Sequence, residues 1–353
     1  MSSALPPAIA AAFARQADFC RMFAAPFTAA MCEAAARAFD DSSASGRAVI
    51  AWPGDAFADA LMMRVTGGFH ALVRAGQAPE LVPLYPPEHL PDVGILAAAL
   101  RRVLADPVRD AVLLQWLGSP PQTNEVARSG VLMPGLMVIT AETGLPLRLF
   151  ELGCSAGLNL NLDRFGYRLA GVAAGDAASA VQLAPAWTGP PPPDVAITVV
   201  SRRGTDINPL DVADAATRER LMAFVWPDQP ERVVRAAAAM ALAQALPPPL
   251  DRADAADWVE RMVAPQVGSV AVVLHSIAFQ YFPPATKARL AAHMATAGAA
   301  AGATAPLAWL RYEMDDASVA ELPSLRLTLW QGGTATERLL ARAHPHGTFV
   351  QWH

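Results

Sequence analysis

A strand that breaks on glycine constrains this chain more than any other feature. Leu147, Leu149, Phe150 and Leu152 spell a short buried strand, Gly153 to Gly157 is a turn of small residues, and Leu158, Leu160 and Leu162 begin a helical pattern. That succession leaves backbone N–H groups facing outward at a helix start with no side chain in the way, which makes a ligand cradle. The cradle also divides the chain. Ahead of it apolar residues recur near the helical period: Ile9, Phe13, Cys20, Phe23 and Phe27, then Phe57, Leu61, Val65, Phe69 and Leu72. Segments 93–105 and 107–117 continue the pattern, each opened by an aspartate as cap. Residues 1–144 are therefore expected to form an all-α N-terminal domain.

Residues 145–353 alternate strands and helices. An insertion rich in Gly, Ala and Pro follows the cradle at 166–194, where 167–169 and 181–183 are expected to pair as a hairpin. Further strands are expected at 196–200, 270–274, 307–312, 325–330 and 346–352, with a weaker one at 250–254. Helices are expected near 221–225 and at 230–246, 255–263 and 285–298. Successive βα units imply an α/β fold with a mostly parallel, Rossmann-like sheet covered on both faces. The closing strands, with no long helix between them, imply an antiparallel C-terminal edge.

Composition removes several functions. A chain of 353 residues with 53% hydrophobic and 17% charged residues has a large interior. Its net charge of −5, with no basic run beyond Arg101-Arg102 and Arg202-Arg203, argues against nucleic acid as a partner. Lys287 is the sole lysine, so no glycine-rich turn ends in the Gly-Lys pair of a P-loop. Cys20, Cys32 and Cys154 are an odd number without a Cys-x-x-Cys pair and fit a reducing compartment. No leader pattern is evident and no uncharged apolar run reaches about 18 residues. A cytoplasmic protein with no membrane partner is expected. His344-Pro-His346 invites a metal, yet no third ligand is spaced to complete the site, and none is expected.

Gly153-Cys-Ser-Ala-Gly157 satisfies the Gly-x-Ser-x-Gly elbow of serine hydrolases, with Ser155 as nucleophile and His275, His344 or His346 as base. Against it, the segment before Leu147 reads as helix, no His-Gly-Gly oxyanion loop precedes the turn, and an elbow has no use for Glu151. The nicotinamide fingerprint fails at Ser155 and Leu158. Glu-Leu-Gly-Cys-Ser-Ala-Gly (151–157) instead resembles the first motif of class I S-adenosylmethionine-dependent methyltransferases, with Ser155 where the middle glycine usually stands. The resemblance implies S-adenosylmethionine as cofactor, held by Glu151, Gly153, Ser155, Gly157 and Asn159. It further implies a ribose-binding acid, Asp206 or Asp176, and an adenine-side pair, Asp254-Ala255.

Over its whole length the chain also resembles a bacterial family known only as a domain of unknown function. The residues that carry this are 121–128, 151–160, 203–211, 224–229, 275–281 and 345–347. The match implies a methyltransferase-like fold behind a helical region and supplies no substrate.

Glu151, Asp206, Asp254 and His275 all fall at the carboxyl ends of expected strands, where open parallel sheets collect ligands. His275 is expected to serve as general base, with Glu125 and Tyr281 as further catalytic candidates. Gln122, Asn124, Arg128 and Gln280 are candidates for contacting a small-molecule substrate, with the helical domain as a cap. Methyl transfer is the expected function; a serine hydrolase on Ser155 and a non-catalytic ligand-binding relative are the alternatives.

Overall fold

Apolar runs punctuated by proline and glycine give most of the expected elements. The computed structural model describes residues 5–86, 89–315, 322–332 and 335–353. In chain order the helices are α1 (Pro7–Met22), α2 (Pro26–Ala38), α3 (Ala44–Ile50), α4 (Leu61–Arg74), α5 (Val93–Leu104), α6 (Pro107–Leu117), α7 (Ser129–Thr143), α8 (Ala215–Ala223), α9 (Pro230–Ala245), α10 (Ala255–Met262) and α11 (Pro284–Ala299). The strands are β1 (Leu147–Leu152), β2 (Gly166–Leu169), β3 (Val172–Gly175), β4 (Gln182–Leu183), β5 (Ala186–Thr188), β6 (Val199–Asp206), β7 (Leu250–Arg252), β8 (Val270–Ser276), β9 (Leu307–Glu313), β10 (Ser324–Trp330), β11 (Ala335–Ala343) and β12 (Phe349–Trp352).

The chain forms two compact units. The first comprises Met1–Thr123 and Asp214–Val234, and the second Asn124–Ala213 and Arg235–His353. Thus Asn124 through Thr143 group with the sheet, while a later segment returns to the helices of the first unit. That segment is bound by both packing and polar contacts. Trp226 joins the core of Phe13, Phe27, Met31, Leu61 and Phe69. The Asp228 carboxylate accepts from Phe27 N at 2.8 Å, Thr28 N at 3.2 Å and Thr28 Oγ1 at 2.8 Å. It caps α2, whose own flanking residue Ala25 has no side-chain acceptor to offer. Asp228→Ala is expected to cost about 1–2 kcal/mol, the usual loss of a helix cap, measured as a shift in the urea midpoint.

The second unit is mixed α/β, built on a large, mostly parallel sheet of order β5-β12-β11-β10-β9-β8-β1-β6-β7. The strands from β9 to β7 in that order run parallel. Strands β9 to β12 pair antiparallel in succession, and β5 adds parallel to β12. Glu151 pairs with Leu274 across β1 and β8, and Phe150 with Val273. Side chains alternate along a strand, so Leu149, Glu151 and Leu274 share one face and Phe150, Leu152, Val273 and His275 the other. The second face carries α10 and α11, with Trp258 of α10 clustered with Phe150, Leu152, Val273 and Trp309 of the sheet. The first carries α7, buried from Ser129 through Ile139; a Cβ on its Gly135 would come within 2.7 Å of Leu310 of β9. A helix apolar on all sides has to lie inside a core.

Three expectations need correction. The strand placed at 196–200 runs instead from Val199 to Asp206. Arg202 and Arg203 made that stretch read as a loop, but they pair with Asp163 and Asp251 at its margins. β11 was not anticipated, because Ala-Thr-Glu-Arg-Leu-Leu-Ala-Arg-Ala is a helix-favouring composition; pairing with β10 on one side and β12 on the other overrides it. In the insertion, 167–169 does not form a hairpin with 181–183. Strand β2 turns back antiparallel into β3 and pairs parallel with β4. Ala170 and Gly171, both at positive φ, make the two-residue turn that this hairpin requires.

Candidate functional site

Strand β6 lies on one side of β1 and β8 on the other, so the chain reverses its direction of winding between β1 and β8. At such a point the loops leaving the two strands part, and open α/β sheets bind ligands outside the carboxyl ends there. The glycine turn leaves β1 at this position.

Three residues of the turn are left-handed: Gly153 at φ 63°, Ser155 at 53° and Gly157 at 67°. Both glycines are also needed for space. A Cβ on Gly153 would stand 2.7 Å from the Ala278 Cβ, and one on Gly157 would stand 2.7 Å from Leu250 Cδ2. Serine is uncommon in this conformation, which identifies Ser155 as occupying a glycine-like position. Polar contacts hold it there. Ser155 N donates to Asp206 Oδ2 at 2.8 Å, while Asp206 Oδ1 accepts from Asn208 N at 2.8 Å. Leu158 N donates to Asn124 Oδ1 at 2.9 Å. Asn159 accepts from Ser129 Oγ at 2.7 Å and donates to the Glu125 carbonyl at 3.3 Å. Thus Asn124 and Asn159 join the segment before α7 to the turn, and Asp206, at the end of β6, braces its middle.

Glu151 lies on the α7 face, 2% exposed, and its Oε2 has no hydrogen-bond partner among the described residues. Burial, and secondarily the Asp206 carboxylate, push its pKa up to about 8 against an opposing pull from Arg128. Arg128 itself donates to the carbonyls of Ser276 at 2.9 Å and Pro345 at 3.1 Å, tying the end of β8 to the C-terminal segment. The buried Ser155 Oγ likewise has no partner. These two buried oxygens, one near the end of β1 and one in the turn that follows, are left unsatisfied among the described residues. Glu125, 8% exposed, accepts from Ala127 N through its Oε1 at 3.1 Å.

His275 sits elsewhere. It is fully buried on the opposite face of the sheet from Glu151. Its Nδ1 lies 2.6 Å from Glu313 Oε1, and its Nε2 accepts from Trp309 Nε1 at 3.0 Å. The expected general base therefore has both nitrogens committed. Its carboxylate partner also accepts from Ala278 N at 3.0 Å and Phe279 N at 3.2 Å, fixing the loop after β8. Asp254, expected beside an adenine, caps α10 through Ala256 N and Asp257 N and accepts from Thr286 Oγ1 of α11. Ala255 is the buried first residue of α10. Asp176 is exposed just after β3 and accepts from Ala178 N in its own turn. Gln280 is exposed, and Tyr281 is 76% exposed. Gln122 falls in the first unit.

Two residues went unnoticed in the sequence. Glu313 stands one position beyond the expected end of β9, an acid at the carboxyl end of a central strand, which was the available signal. Ile277, a β-branched residue at φ 49° directly after β8, carried none. Such strain concentrates at functional sites; here it lies across the switch point from Ser155.

A hydrolase needs a base hydrogen-bonded to its nucleophile, and among the described residues Ser155 Oγ has no such partner. Ser155→Gly separates the roles. Relief of the left-handed strain, with no hydrogen bond lost, is expected to leave thermal stability unchanged or raised by up to about 1 kcal/mol. Abolition of an esterase activity in the same variant would restore the nucleophile reading. Among the described residues no group of three His, Cys, Asp or Glu side chains is placed to hold a metal ion. No described helix is long and apolar enough to cross a membrane.

A family model described as "Uncharacterized protein conserved in bacteria (DUF2332)" matches residues 10–352. No curated protein and no solved structure gives a significant match.

Proposed function

The chain belongs to this family of uncharacterised bacterial proteins, a membership that brings no activity with it, and from the site alone we propose S-adenosylmethionine-dependent methyl transfer to a small molecule. One observation carries the reading: an acid-then-glycine turn, with a left-handed serine at its centre, leaves the strand that borders the switch point of a parallel sheet. The residues present fit part of the cofactor. The unpartnered oxygens of Glu151 and Ser155 suit its charged and polar methionine end. Asp206, although it accepts two backbone N–H groups, keeps carboxylate lone pairs for ribose hydroxyls. The adenine side receives no acid under this proposal, since Asp254 is taken up by α10 and α11.

When bound, S-adenosylmethionine supplies a methyl group on a positively charged sulfur. The chain's contribution is positioning: Asn124 and Asn159 stiffen the turn, and Arg128 fixes the loop opposite. Holding reactants in line provides much of the acceleration for such a displacement. With His275 committed to Glu313 and Trp309, the reading favours an acceptor that arrives already nucleophilic, such as a thiolate, a carboxylate or a neutral amine. Calorimetric titration of the intact protein with S-adenosylmethionine and S-adenosylhomocysteine is expected to give saturable binding with one site per chain. Absence of binding by both compounds would remove the proposal.

A further inference from the structure

The inference rests on the cofactor reading above and concerns the charge that Glu151 carries. A carboxyl that is 2% exposed and has an oxygen without a partner is far more stable as an acid than as an anion. Among the described residues no cation is hydrogen-bonded to its buried oxygen. From β6, Asp206 adds a second negative charge; from the segment before α7, Arg128 lends a positive one, but that guanidinium is bonded to two carbonyls. Burial keeps the thiol of Cys154 in the turn neutral by pushing its pKa far up. The nearest residue of β8, Leu274, is apolar, and His275 projects to the other face, where it meets Glu313.

We propose that Glu151 gives up its proton to solvent when a ligand cation docks, and that the site thereby prefers a sulfonium to the neutral thioether left after methyl transfer. The balance is simple. The O–H bond of the Glu151 carboxyl breaks, the proton passes to water, and the carboxylate faces the ligand's positive charge. Once the methyl group has gone and the sulfur is neutral, the carboxylate takes a proton back and the product is held less tightly. Glu151 then couples release of the product to a proton returning from solvent.

Titration of the intact protein with S-adenosylmethionine at pH 7, in two buffers of different ionisation enthalpy, counts the protons directly. Release approaching one proton per ligand is expected, and affinity should rise about tenfold per pH unit between roughly pH 6 and 7.5. S-adenosylhomocysteine should bind more weakly, with a flatter pH dependence. Glu151→Gln, checked for folding by circular dichroism, should lose the release. Binding of S-adenosylmethionine with no proton released and no pH dependence overturns this inference and leaves the cofactor reading standing. Failure of both compounds to bind overturns the two together. Retention of the release in a folded Glu151→Gln assigns the proton to another group and also overturns the inference. Because the two-buffer comparison needs no variant, a misfolded Glu151→Gln leaves the test intact.

Discussion

Glu313→Ala is expected to destabilise the protein by about 3 kcal/mol or more, because it leaves several buried donors unpaired at roughly 1–3 kcal/mol each. The carboxylate is the common acceptor for His275 Nδ1, Ala278 N and Phe279 N. Its loss leaves three donors unpaired, one of them the imidazole of a fully buried residue. The Trp309 indole donates to Nε2, so the network assigns the imidazole proton to Nδ1, and among the described residues Glu313 is its acceptor there. Glu313→Gln keeps one acceptor oxygen and should cost about 1–2 kcal/mol. Urea unfolding followed by tryptophan fluorescence measures both, since Trp309 belongs to the network. A loss under about 1 kcal/mol in the alanine variant would show that the network does not hold the loop after β8.

The second large effect is a pH dependence. Glu151 has a pKa of about 8 in the folded chain against an ordinary 4.5. Between these values the folded state binds more protons than the unfolded state, so stability falls as pH rises. The contribution is fully present below about pH 4.5 and is lost as pH climbs through about 8. A gap of this size corresponds to as much as about 5 kcal/mol. Glutamine has the shape of the protonated acid and nothing to ionise. Glu151→Gln should therefore match the parent protein near pH 5 and exceed its stability by a few kcal/mol at pH 9. Melting curves of both proteins at pH 5, 7 and 9 make the comparison, and parallel pH profiles would contradict it.

What could be read from the sequence follows from which signals are local. β1 and β8 are runs of apolar residues with glycine or polar residues behind them, and the turn at 153–157 declares itself by its small side chains. The link of Asn124 and Arg128 to this region was legible because the polar stretch 119–128 stands out in an otherwise apolar helical region shortly before the opening strand. The position of His275 was not. It stands at a strand end, as expected, but the face it occupies depends on register with β1, which neighbouring residues do not reveal. Asp254 shows the same limit in another form: an acid before a helix serves equally as a cap or as a ligand contact, and Thr286, more than thirty positions away, completes the cap. β11 escaped because its composition favours helix, and only its two neighbours make it a strand.

The return of 214–234 to the first unit bears on how this protein can be taken apart. Residues 1–144 look like a detachable helical domain. Cut there, however, the fragment would lack Trp226 and Asp228, leaving the start of α2 uncapped and a gap in the core around Phe27. It would also carry α7, whose apolar surface would be left bare to water. The complementary fragment would lose the cover of one sheet face. A workable dissection instead follows the three crossings of the chain, near 123, 213 and 234, and has to join 1–123 to 214–234 through an added linker. The helical part is thus discontinuous in sequence, and the sheet part resembles a protein with a guest segment spliced out of it.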